Sequence, residues 1–192
     1  MKKRLSGGII ALIVVLAIVI IAVVACVSIY NGLASAEVSV DEKYHEIETQ
    51  LQRRMDLVPN LVNTVKGFAE HETEVLQNVT DARTKLAGAQ TPAEQAEADS
   101  ELSSALSRLL VVVENYPELK SNENFIALQD ELAGTENRIS RARSEYNEAV
   151  AEFNSKIVKF PSNLIAGMFG FEKAEYFEAD SAANKVPEVS FD

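Results

Sequence analysis

Two histidines, one cysteine and no tryptophan leave this chain few groups for metal or nucleophilic chemistry. Glu42-Lys43-Tyr44-His45 has the Glu-x-x-His spacing that two helices of a di-iron bundle each supply. The second pair is missing, because Phe68 stands three residues before His71. His71-Glu72 opens a zinc-protease pattern, but Val75 occupies the place of the second histidine. Both histidines therefore read as solvated or hydrogen-bonded helix residues. With Cys26 alone, neither an intrachain disulfide nor a thiolate metal site can form. There is no phosphate-binding glycine loop and no nucleophile elbow. The expectation is no catalytic residue, no metal and no cofactor.

The polar residues between positions 50 and 72 offer a different chemistry. Arg54 lies beside an apolar stripe, Glu72 falls between Ala69 and Leu76, and Arg138 flanks Ile139. One reading is an internal ion-pair network that fixes helix register, with Arg54 and Glu72 as partners. The other is a polar partner-binding face made of Arg53, Asp56, Asn60, Lys66 and His71, with Pro59 bending the helix that carries it. For any one of these charges, a solvated helix face is the simpler account.

The elements that would position these residues are helices. Eight glycines and five prolines in 192 residues, with abundant Ala, Glu and Leu, favour long helices over many strands. Residues 9–29 run without a charge, 21 residues against the roughly 20 that cross a bilayer. Lys2, Lys3 and Arg4 precede them, and Glu37, Asp41 and Glu42 follow. By the positive-inside rule, this leaves the N-terminus in the cytoplasm and a single-pass chain with an extracytoplasmic body. The overall charge is −11, so everything after Arg4 carries −14. Such an acidic body excludes nucleic acid as a partner and disfavours lying flat on anionic lipid. Val23-Val24-Ala25-Cys26 also satisfies a loose lipoprotein cleavage pattern, in which Cys26 would be the lipidation site and the membrane helix would be lost. The bland alternative is a small residue within a membrane helix.

Beyond the anchor, Ile47, Leu51, Met55, Val58, Val62, Val65, Ala69, Leu76, Val79 and Leu86 keep steps of three, four and seven. They predict one helix, kinked but not split at Pro59, ending near Gly88. Thr91 is its successor's N-cap with Pro92 at the first helical position, and Leu102, Leu106, Leu109, Val113 and Tyr116 mark the second helix up to Pro117. A third starts at Ser121 or Asn122. It carries the coiled-coil-like series Phe125, Leu128, Leu132, Thr135, Ile139, Ala142, Tyr146, Val150, Phe153 and Ile157. Residues 160–171 are dense in apolar groups; they either cap the bundle or dip into the bilayer interface as a short helix. The acidic tail reads as irregular, laid along the bundle by Tyr176, Phe177, Val189 and Phe191. The resulting fold class is all-α: an N-terminal transmembrane helix, then an antiparallel bundle of three long helices plus a short C-terminal one. Its segments are a basic N-terminus (1–8), the anchor (9–29), the bundle (30–171) and the tail (172–192).

The run from Gln50 to Val62, QLQRRMDLVPNLV, and its continuation Thr64 to Glu72, TVKGFAEHE, resemble the hallmark of the LemA family. Tyr116-Pro117-Glu118-Leu119-Lys120-Ser121-Asn122 with Phe125 resembles a second family block. Thr135-Glu136-Asn137-Arg138-Ile139, Arg143, Tyr146-Asn147, Asn154 and Phe160-Pro161 resemble a third. Tyr176-Phe177-Glu178 and Pro187 to Phe191 are similar to the family's end. The resemblance covers nearly everything after Tyr30-Asn31 and implies a membrane segment followed by a helical bundle, with no particular reaction. Some members carry a lipobox cysteine directly before the Tyr-Asn pair, where this chain has Val27, Ser28 and Ile29 between Cys26 and Tyr30. The resemblance also implies a cytoplasmic body as the alternative topology, and an association with membrane proteases or stress systems.

The function expected from these features is a non-catalytic scaffold or adaptor of the bacterial cell envelope. It would contact other membrane proteins, a membrane protease among them, or further copies of itself. The alternative is a small-ligand module with a groove near Arg53, Arg54 and Lys66.

Overall fold

The computed structural model describes residues 7–69 and 71–177. Six helices follow one another: α1 Gly7–Lys66, α2 Thr73–Gly88, α3 Pro92–Val113, α4 Pro117–Lys120, α5 Glu123–Val158 and α6 Ser162–Phe169. The fold is all-α, with no strand among the described residues. The chain divides into two units, residues 1–41 with 149–174, and residues 42–148 with 175–192. Lys2, Lys3, Arg4, Glu70, Val189 and Phe191 lie outside the described residues.

In the first unit, the apolar run 9–29 forms the exposed start of α1, a helix long and apolar enough to cross a membrane. Immediately beyond it, Leu33 is buried against Ile165 and Ala166 of α6, with Ile29, Ile157 and Phe171 packed around them. Gly170 ends α6 in the left-handed region (φ 78°), where the absence of a Cβ removes the usual strain. The side-chain amide of Asn154 then holds Ala174 by two bonds of 2.9 Å, donating to its carbonyl and accepting from its N–H.

In the second unit, Ile47, Leu51, Arg54, Val58, Leu61 and Val65 of α1 are buried, in alternating steps of four and three. This is the heptad seam of a helix packed along its neighbours. It runs through Pro59, which lies inside α1, so the expected single helix across the proline is present. The expected continuation to Gly88 is not. Helix α1 ends at Lys66 and α2 begins at Thr73; between them Phe68 N–H donates to Val65 O (3.0 Å) and Glu72 N–H to Ala69 O (3.1 Å). Gly67 stands where helices commonly stop, one residue past a basic last turn. The apolar series stays in step across this break because Ala69 and Leu76 both reach the core from non-helical and newly helical backbone respectively.

Helices α2 and α3 pack on each other, joined by the short connection 89–91. Lys85 bridges them to Glu97 (3.0 Å) and Glu101 (2.6 Å). The N-terminus of α3 is a full capping box. Thr91 Oγ1 accepts from Glu94 N–H (3.2 Å), and the Glu94 carboxylate accepts from the N–H groups of Thr91 (3.2 Å) and Gln90 (2.9 Å). These backbone donors hold the Glu94 carboxyl below its ordinary value of 4.5. A lowered carboxylate pKa contributes stability that is present above the unfolded value and is lost as pH falls through the folded one. Thr91→Ala removes the cap's acceptor and should cost about 1 kcal/mol in urea unfolding at neutral pH. Glu94→Gln should flatten the acid side of the stability profile; an unchanged profile would contradict the box.

Helix α5 begins where Asn122 Oδ1 accepts from Phe125 N–H (3.1 Å), so of the two expected caps it is Asn122 that serves. Phe125, Thr135, Ile139, Ala142 and Tyr146 face the core of the second unit. Residues 171–177 have no regular structure. Phe177 is buried, as expected for a tail laid on helices, whereas Tyr176 is exposed.

Candidate functional site

Charge sits in the core of the second unit because Arg54 occupies a seam position of α1 between Leu51 and Val58. Its side chain is 4% exposed. Nη1 lies 2.7 Å from Asp99 Oδ1 of α3 and 2.6 Å from Glu136 Oε2 of α5, and Nη2 donates to Ser103 Oγ (3.0 Å). Asp99 is 1% exposed, and its second oxygen accepts from Arg143 Nη2 of α5 at 2.6 Å. The Arg143 guanidinium lies over the ring of Phe177, 4.8 Å from its centroid. Two guanidiniums thus balance two carboxylates across three helices. Burial pushes the Asp99 carboxyl above its ordinary 3.8, against the pull of Arg54 and Arg143, and Glu136 adds to the rise. The Nε atoms of Arg54 and Arg143 are buried with no hydrogen-bond partner among the described residues.

Arg54 and Glu136 also form the polar end of an open groove of about 270 Å³, with Ser103 beside them. The rest of its lining is mainly apolar: Leu61 from α1, Leu106 and Leu110 from α3, Leu132 and Ala133 from α5, with Ser107 and Gln129 among them.

The expected pairing of Arg54 with Glu72 is not what the structure contains. Glu72 lies in the turn before α2 and accepts from the Tyr116 hydroxyl (2.9 Å), since α1 has already ended. Arg138 reaches Gln50 Oε1 (3.0 Å), Glu131 (2.8 Å) and Thr135 Oγ1 (3.0 Å), and Glu131 also pairs with Arg53 (2.7 Å). That set links α1 to α5 at the surface. Of the expected polar face, Arg53, Asp56 and Asn60 do share one exposed side of α1, at steps of three and four. Lys66 is at the helix end on a different azimuth, and His71 is exposed in the following turn. His45 is exposed on α1 with Nδ1 2.8 Å from Glu48. No cluster of three or more His, Cys, Asp or Glu fit for a metal occurs among the described residues.

Asp99, Ser103, Glu136 and Arg143 were not singled out by the sequence reading as site residues. A signal for Asp99 existed: stepping back from Val113, Leu109, Leu106 and Leu102 by the same threes and fours lands on Asp99 and then Gln95, both buried.

The fold and this site define a membrane-associated, all-α protein whose helices meet around a neutralised charge layer. The LemA family model matches residues 43–191, and the chain belongs to the LemA family. Among its relatives are the magnetosome proteins MamQ 1 and MamQ 2 of Paramagnetospirillum magneticum. Each is 29% identical over 210 residues, covering 95% of this chain and 77% of the relative.

Proposed function

We propose that this protein is a non-catalytic scaffold or adaptor of the cell envelope, anchored through residues 9–29 and working through protein–protein contacts of its helices. The observation that carries this reading is the groove between α1, α3 and α5, mainly apolar in its lining and open to solvent beside a locked charge layer. Its volume of about 270 Å³ falls just under the range of about 300–1,000 Å³ usual for small-molecule pockets. It suits a few apolar side chains of a partner helix lying along it. The exposed Arg53, Asp56 and Asn60 on α1 add a polar surface for orientation. The partner is another membrane protein, a membrane protease included, or a second copy. By the charge rule the body faces away from the cytoplasm, a cytoplasmic body being the alternative. The second reading, a small-ligand site, is favoured by Arg54 and Glu136 in the groove's lining, which could orient a polar head beside an apolar body. Arg53 and Lys66 do not line it.

Photo-reactive residues placed at Gln129 and Ala133, in the full chain in intact membranes, test this. Adducts to one other membrane protein or to a second copy are expected. Absence of protein adducts from a chain shown to be folded would reject the scaffold. Thermal stabilisation of that chain by a small amphiphile would then establish the ligand reading.

A further inference from the structure

We propose that α6 is a second membrane contact, an interfacial helix that seats its outer face in the lipid beside the anchor. This rests on residues 9–29 lying in a bilayer, and not on the docking groove. Ile165 and Ala166 form the inner face of α6 and pack on Leu33 of α1, with Ile29 in the same cluster. Ile29 is the last residue of the apolar run, before Tyr30-Asn31, and Leu33 lies four residues, about 6 Å, further along the axis. At the C-terminal end of α6 the rings of Phe169, and of Phe171 just beyond the helix, pack on Tyr30 at centroid distances of 4.8 and 5.7 Å. The helix is therefore held at the level where the anchor leaves hydrocarbon.

The outer face of α6 presents Leu164 and Met168, four residues apart and 60% and 74% exposed, and Phe160, 81% exposed, stands in the turn just before the helix. Residues 160–171 contain no charge, and Asn163 is the one amide on that side. Three large apolar groups left exposed within nine residues mark an interaction surface. Its position next to the anchor identifies the lipid as what covers it. Tyr30 supplies the amphipathic ring found at headgroup level, and the exposed Lys159 and Lys173 flank the segment, long enough to reach phosphates. Glu172 offsets one of them, so apolar burial rather than charge carries the contact, and it should survive high salt.

The chain has no tryptophan, so one introduced indole reports alone. Met168→Trp and, separately, Leu164→Trp would be prepared in the full chain. Each would be reconstituted in vesicles of phosphatidylethanolamine and phosphatidylglycerol doped with lipids brominated high on the acyl chain. Both variants are expected to emit to the blue, to lose most of their emission to the brominated lipid at low and high salt, and to resist aqueous acrylamide. Full quenching by acrylamide, as for an exposed indole, would overturn the proposal. So would shielding from both quenchers, which would put a protein surface there instead.

Discussion

Replacing Arg54 with alanine is expected to lower the unfolding free energy by about 3–5 kcal/mol, the effect of removing one partner from a buried ion pair. The size follows from what remains. Glu136 is about half exposed as a side chain and can turn to water, so its loss is small. Asp99 cannot: it is 1% exposed and would keep only Arg143. Its carboxyl already lies above 3.8 because of burial, and without Arg54 the rise must grow. A carboxyl whose folded pKa exceeds its unfolded value binds the proton more tightly when folded. Its destabilisation is therefore complete above the folded pKa and fades as pH falls through it. The deficit of Arg54→Ala, measured by urea unfolding, should shrink as pH falls through the raised folded pKa of Asp99. Arg54→Met with Asp99→Leu removes both charges and should recover to within about 1 kcal/mol of the parent, or exceed it. The exchange Arg54→Asp with Asp99→Arg tests pairing directly, since these two residues, and not Arg54 and Glu72, face each other. An Arg54→Ala chain as stable as the parent would show that the layer carries no desolvated charge. If the apolar double variant is stable yet loses the groove's adducts, the layer acts through helix register, the best-attested use of buried polar groups in helical seams.

What the sequence made legible, and what it hid, divides along one line: the apolar spacing was read and the polar members of the same spacing were passed over. The whole of α5 could be placed because ten residues from Phe125 to Ile157 hold one phase, and Pro161 and Asn122 bound it. On α1 the true seam is Ile47, Leu51, Arg54, Val58, Leu61 and Val65. Reading only apolar residues substitutes Met55 and Val62 for Arg54 and Leu61, although Arg54 sits in perfect step. Asp99 and Gln95 were lost on α3 for the same reason. Two complementary charges at seam positions of neighbouring helices are a pairing signal that phase alone can supply. The break after Lys66 was hidden differently. Ala69 and Leu76 fall in register by sequence, so periodicity could not show that the helix is interrupted before Thr73; Gly67 after Lys66 was the available mark. Asn147 carries no apolar phase either, and it serves the tail.

Phe177→Ala is the second large expected effect, about 3 kcal/mol, at the low end of the range for emptying a buried phenylalanine site. The side chain is 1% exposed although its segment has no regular structure. Its backbone is satisfied as a strand's would be: the Asn147 amide accepts from Phe177 N–H and donates to Phe177 O, both at 2.9 Å. The Tyr146 hydroxyl donates to Glu175 O at 2.7 Å. Among the described residues of this segment Phe177 is the one fully buried apolar group, so without it the segment should detach as a unit, which caps the loss at its own opening free energy. Asn147→Ala leaves the ring in place but orphans the buried backbone pair, and should cost about 1–3 kcal/mol. Both variants should speed hydrogen exchange at the Phe177 amide, whereas Arg54→Ala should leave that amide protected relative to global unfolding. The ring also covers Arg143, which holds Asp99, which holds Arg54. Detaching it admits water to Arg143 and weakens the hold on Asp99. A double-mutant cycle between Arg54→Met and Phe177→Ala should accordingly show a coupling of about 1 kcal/mol, two contacts removed from direct touch. Strict additivity would mean that the tail and the charge layer are independent, and that Phe177 stabilises only itself.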